Sequence, residues 1–215
     1  MAEIIIPKDR WGPGPWQDEP DELAWIDQAT GLDCHIIRHI QFGNFCGYAG
    51  VPPTHPAYGL SWDGVPDKEA KERHREFMAR LRNSGGNPFK MPPSKFPDTK
   101  PVLGIGDKLC EVSVHGGLTF AGILRKRNVD LWFFGFDCGH AGDFSPGMHA
   151  TLRFLHQLDN TTKQFEAYAG FCQDETYRTI DYVKAECTEL ARQLKGMEGT
   201  LWQPTMSKEA KTKDS

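Results

Sequence analysis

The sequence predicts an α+β fold, a single domain in which a mainly antiparallel sheet is covered by C-terminal helices. Three observations lead there. β-like segments come first and amphipathic helical segments last. The turns between the β-like segments are short, which favours antiparallel pairing. The chain of 215 residues is 39% hydrophobic and 11% aromatic, enough to fill one core. The expected domain spans residues 1–205, with an insertion or lid at about 62–101, and residues 206–215 form a polar, disordered tail.

Residues 1–32 are rich in Trp, Pro and acid, and WGPGPW cannot be helical because proline fixes φ and removes donors. This segment reads as an irregular arm whose tryptophans pack onto the body. Cys34–His39 and Phe45–Val51 follow, joined through Phe42-Gly43-Asn44, and read as a β-hairpin. Pro52–Gly59 is a rigid loop carrying His55 and Tyr58. Ala70, His74, Phe77, Met78 and Leu81 share one face at helical spacing, so a helix runs from Asp67 to Leu81. Five prolines and Gly85-Gly86 then make Asn83–Pro101 a loop or lid.

The β signal returns at Leu109–His115, which alternates; Gly116-Gly117 turns the chain and Leu118–Ala121 pairs back. Arg125–Asn128 is a polar turn. Asp130–Asp137 is the most apolar strand and is expected to be central and buried on both faces. Two helices close the fold, from about Pro146 to Leu158 and from Asp174 to Leu194, with Gly196 ending the second. Leu201-Trp202 adds an edge strand.

A formal net charge of −4 leaves no electrostatic footprint for nucleic acid and no attraction to an anionic membrane. No apolar run approaches the ~20 residues of a spanning helix. MAEIIIPKDRW lacks the charged-then-apolar pattern of a secretory signal, so a cytosolic location is expected. The six cysteines show no CxxC pair, which disfavours a structural zinc knuckle and suits reduced thiols, several of them buried.

The densest chemistry lies between His115 and Asp143. In FDCGHAGD, Asp137 ends a buried strand, and Cys138, His140 and Asp143 follow in a glycine-relieved loop. Asp and His so close together suit a metal or a base–orienter pair; the plain alternative is turn capping. In VHGGLTFAG, His115, Gly116, Gly117 and Thr119 suit an anion cradle of exposed N–H groups, or a simple hairpin. His55 and Tyr58 suit a planar ligand, while Tyr48 reads as packing. Tyr177, Arg178, Tyr182 and Glu186 flank the last helix's apolar stripe and read as a solvated face that borders the site at most. A nucleophilic Cys138 ranks below these readings.

Taken together, GPWQDEPDELAWIDQATGLDCHIIR, CGYAGVPPTHPAYG, VHGGLTFAG, LWFFGFDCGHAGDFSPG and YRTIDYVKAECTELARQL resemble a family of bacteriophage and bacterial proteins with no assigned activity. The match covers about three quarters of the chain by motif order, with Gly64–Pro101 as this member's own insertion. The resemblance implies a phage-related context in a bacterial cytosol. It assigns no catalytic residue, and metal and cofactor remain unknown.

Three functions compete. The first is a small-molecule binder that captures a nucleotide-like ligand, sequestering a host immune signal, through His55, Tyr58, His115, Gly116, Gly117, Thr119 and His140. The second is a hydrolase in which Asp137, His140 and Asp143 are catalytic with His115 beside them, with or without a divalent metal. The third is a protein-interaction inhibitor of a host factor, acting through the Trp/Pro arm and the insertion. Binding ranks first, and homo-oligomerisation is left open.

Overall fold

The computed structural model describes residues 8–85, 104–124, 130–159 and 174–200. The fold is α+β, and its backbone packs as two compact units: Met1–Pro53 with Val112–Gly196, and Thr54–Glu111 with Met197–Ser215.

The first unit holds one five-stranded antiparallel sheet. Its strands are β1 (Glu22–Ile26), β2 (Asp33–Arg38), β3 (Phe45–Val51), β4 (Phe120–Gly122) and β5 (Trp132–Asp137), in the order β1-β2-β3-β5-β4. The hairpin pairs Arg38 with Phe45 and Asp33 with Gly50. β5 lies between β3 and β4, and its first five residues are buried, as its unbroken apolar run requires.

Registration puts Cys34, Ala49 and Phe134 on one face with Ile36, Gly47 and Phe136. The helix Ile180–Lys195 covers that face with Val183, Cys187, Leu190, Ala191 and Leu194, all buried. Gly47 allows the approach: a Cβ there would stand 2.4 Å from Phe136 Cζ and 2.6 Å from Cys187 Sγ. The other face carries Phe133, packed with Leu124, Leu131, Tyr48 and Phe120, and edge-on to His35 at 5.2 Å.

The N-terminal arm is more ordered than its composition suggests. Lys8–Trp11 and Pro15–Gln17 form single 3-10 turns, the second beginning with proline in the first turn, where its missing N–H costs nothing. β1 then adds an edge strand. Trp11 and Trp16 are buried against Phe144, Ala150 and Tyr177, so the tryptophans pack as the composition implies.

The second unit contains α1 (Asp67–Asn83) and α2 (Ile105–Cys110). α2 corrects the expected strand at Leu109–His115. Gly104 opens this helix at φ +85°, and its N–H donates to Asp107 Oδ2. Two helices follow in the first unit, α3 (Pro146–Asp159) and α4 (Ile180–Lys195). α4 starts six residues later than its apolar stripe suggests, because Thr179 caps it by accepting the Tyr182 N–H. Among the described residues no helix is long and apolar enough to cross a membrane. The expected turn at Arg125–Asn128, most of the loop at Asn83–Pro101, the strand at Leu201-Trp202, Cys172 and the tail at 206–215 lie outside the described residues.

Candidate functional site

Three chain segments of the first unit converge beside the N-terminal half of α4. The loop after β5 is fixed first. Thr176 N–H donates to Gly142 O and Phe144 N–H to Thr176 O, a short parallel bridge that sets Asp143 opposite Thr176, two residues before Arg178. The stretch before β4 is fixed by side chains of α4 rather than by a strand. Gln193 receives the Ser113 N–H at 2.8 Å and donates to Ser113 O at 2.8 Å. A primary amide has both functions of a peptide group, so Gln193 replaces a β partner for this residue. Glu186 Oε2 accepts the His115 N–H at 2.7 Å, and Gly117 N–H closes a turn on Val114 O.

Asp143 is the centre. Its side chain is 2% exposed. Oδ1 accepts from Arg178 Nε at 2.8 Å; Oδ2 accepts the His140 N–H at 3.1 Å and meets His115 Nε2 at 2.7 Å. Burial alone would push this carboxyl up. The hydrogen bonds from Arg178, His115 and the His140 backbone outweigh it and hold the group below its usual range. An ionised, acceptor-only Asp143 makes Nε2 the protonated nitrogen of a neutral His115 ring. Nδ1 is then an acceptor, and Tyr182 Oη lies 3.0 Å from it. Asp143, His115 and Tyr182 thus form one hydrogen-bonded chain. Burial and the Glu186 charge raise the Tyr182 phenol, which keeps it protonated.

His140 stands beside this chain, its ring 5.6 Å from that of His115. Its side chain is 36% exposed, yet its Nδ1 is enclosed, has no hydrogen-bond partner among the described residues and lies 3.7 Å from Asp143 Oδ2. The ring sits over Gly116: a Cβ there would be 2.1 Å from His140 Cε1, and φ is +66°. Next to His115 an open groove of about 610 Å³ is lined by Ser113, Val114, Glu186, Glu189, Arg192 and Gln193.

The chain folding therefore brings His115, Gly116, His140 and Asp143 together. Asp137 has a different part: its Oδ1 accepts the Gly139 N–H in the turn that ends β5. The N–H groups of His115 and Gly117 are engaged within the protein, and that of Thr119 donates to Gly135 O, so three donors of the expected anion cradle already have partners. His55 and Tyr58 belong to the second unit, where buried His55 accepts the Ala57 N–H on Nδ1. Tyr48 is edge-on to Phe120 at 5.4 Å. Cys138 is 1% exposed, and burial drives its thiol far up, against a thiolate nucleophile.

Arg178, Tyr182 and Glu186 do more than flank the helix. Arg178 binds Asp143, Tyr182 binds His115, and Glu186 binds the His115 backbone. Ser113 and Gln193 were not singled out by sequence. One signal was present: Tyr182, Glu186, Glu189 and Gln193 recur at helical spacing as a polar stripe. Comparison with protein-family models, with curated proteins and with solved structures returned no match.

Proposed function

We propose that the protein is a hydrolase that acts on a small polar, nucleotide-like molecule, with Asp143, His115 and Tyr182 as a proton relay. The observation that supports it is the occupation of both His115 ring nitrogens, one by a buried carboxylate and the other by a phenol. Such a chain orients the ring, selects its tautomer and leaves the phenolic oxygen as the end that meets a ligand.

The step balances. As water attacks the electrophilic centre, its proton passes to the Tyr182 oxygen, and the Tyr182 proton passes to His115 Nδ1. The hydroxide oxygen bonds to the substrate. The imidazolium is held by the Asp143 carboxylate, and the same route returns the proton to the leaving group. A high phenol pKa suits a conduit that stays protonated between transfers. The Glu186 carboxylate at the groove suits donors of a nucleotide, such as ribose hydroxyls and base amino groups, while Arg192, paired with Glu189, is the groove's cation.

A second reading is capture without conversion, which the groove beside His115 favours. One experiment separates the two. The purified chain is incubated with cyclic and linear nucleotides and filtered; the retained protein is heat-denatured and both fractions are analysed. A converted nucleotide, with conversion lost in Asp143→Asn and Tyr182→Phe, supports hydrolysis. A nucleotide depleted from the filtrate and recovered intact supports capture. Neither depletion nor conversion across the panel overturns both readings.

A further inference from the structure

We propose that His115 Nε2, His140 Nδ1 and Asp143 Oδ2 form a binding site for a divalent first-row transition ion of the zinc class. The three atoms lie within 4.8 Å of one another. Oδ2 is 2.7 Å from His115 Nε2 and 3.7 Å from His140 Nδ1. Tetrahedral zinc, bonded to N and O at about 2.1 Å, sets neighbouring ligand atoms about 3.4 Å apart. The first separation must open by about 0.7 Å and the second close by about 0.3 Å, within the reach of side-chain rotation.

The enclosed Nδ1 of His140 is the independent observation. Buried polar atoms almost always have a hydrogen-bond partner, and this one has none among the described residues. It faces Asp143 Oδ2, and an ion between them would supply the bond this nitrogen lacks among the described residues. Gly116 keeps the ring there, since any Cβ at that position would collide with it.

The surrounding hydrogen bonds are those a metal site uses. Metal-binding histidines donate their second nitrogen outward, and ligating carboxylates are held by outer donors. With Nε2 on the ion, His115 Nδ1–H donates to the Tyr182 oxygen, and Arg178 keeps Asp143 Oδ1. Oδ2 retains the His140 N–H and turns its other lone pair from Nε2–H to the ion. Two imidazoles and one carboxylate suit zinc, nickel, copper or iron better than calcium or magnesium. Three protein ligands leave a position for water on the half-exposed His140 side.

Ion binding consumes the Nε2–H of the relay, so the ion and the relay exclude each other. The inference is tested without any substrate, so its failure leaves the hydrolase reading standing and the converse holds. The full chain, stripped of metal with chelator, is titrated with Co²⁺ and followed by visible d–d absorption, then competed with Zn²⁺. Expected are saturation at one ion per chain, displacement by Zn²⁺, and a higher unfolding temperature with Zn²⁺ present. His140→Gln, at a half-exposed position that folding tolerates, weakens Co²⁺ at least ~10-fold. Asp143→Asn does the same, while Asp137→Asn leaves affinity unchanged, because its carboxylate serves the Gly139 turn. Absence of saturable binding in the wild type, or wild-type affinity in a folded His140→Gln protein, overturns the site.

Discussion

Two polar clusters in the first unit use the same residue types and differ in how they are closed. In one, Arg38 is held by Glu19 Oε2 at 3.0 Å, Asp21 Oδ1 at 2.9 Å, Gly43 O and the Tyr177 phenol, and its guanidinium lies 3.8 Å from the Phe45 ring centroid. Its side chain is 0% exposed. In the other, Arg178, Asp143, His115 and Tyr182 make a similar set of bonds, but Arg178 remains 29% exposed and His140 offers a nitrogen with no hydrogen bond among the described residues. The Arg38 cluster joins the N-terminal arm to β2 and to Tyr177; its bonding is directed inward. The Asp143 cluster is buried at its carboxylate and open at its rim. A sealed ionic network serves stability, and one with an accessible edge has capacity left for a ligand.

The comparison breaks most readily at Arg38. Arg38→Ala leaves Glu19 and Asp21 without their shared cation, and the protein loses about 3 kcal/mol, the low end for a buried pair because both acids keep some solvent. Urea unfolding measures it; a loss below about 1 kcal/mol would show that the sealed cluster does not hold the arm. Tyr182→Phe is the opposite case. It keeps the ring and removes one hydroxyl, so turnover on a substrate found in the nucleotide panel falls about 100-fold while stability changes by less than about 1 kcal/mol. Equal turnover in the two proteins removes Tyr182 from the relay.

Gly116→Ala lies between these effects. A Cβ at φ +66° costs about 1–2 kcal/mol in backbone strain and displaces His140. The expected signature is a modest drop in unfolding temperature with a larger loss of Co²⁺ affinity. The reverse ranking would make Gly116 a turn residue alone.

The smallest effect concerns His35, buried on the sheet face of Phe133, its Nδ1 without a hydrogen bond among the described residues. Burial lowers its pKa below 6.5, and Asp33 opposes only in part. The folded pKa lies under the unfolded one, so this contribution is fully present above the unfolded value and is lost as pH falls through the folded value. Stability therefore falls as pH drops below 6.5, the unfolded value, and His35→Gln flattens that part of the profile. Parallel profiles for the two proteins would exclude His35 as the cause.

Local pattern made much of the fold legible. Asp130–Asp137 reads as a central strand because it is apolar on both faces, and β5 is that strand. The alternation at Leu109–His115 misled because alternation reports which side chains are apolar, not which groups satisfy the backbone. Asp107 and Gly104 turn its first residues into helix, and Gln193 supplies Ser113 with the bonds a strand would have made. The start of α4 was misread for a related reason: Tyr177 fits the helical stripe, but Thr176 is committed to Gly142 and Thr179 to the cap.

By itself the sequence determined the hairpin, the apolar strand, the inner stripe of α4 and the concentration of His and Asp between 115 and 143, because each is a property of neighbours along the chain. Only the tertiary structure decided which of those groups meet. Tyr182 is 67 residues from His115, Arg178 is 35 from Asp143, and Gln193 is 80 from Ser113. No periodicity extends over such separations. Those bonds exist because α4 packs on the sheet that contains β5, through β2 and β3, and that packing is set by apolar burial rather than by the polar residues it brings together.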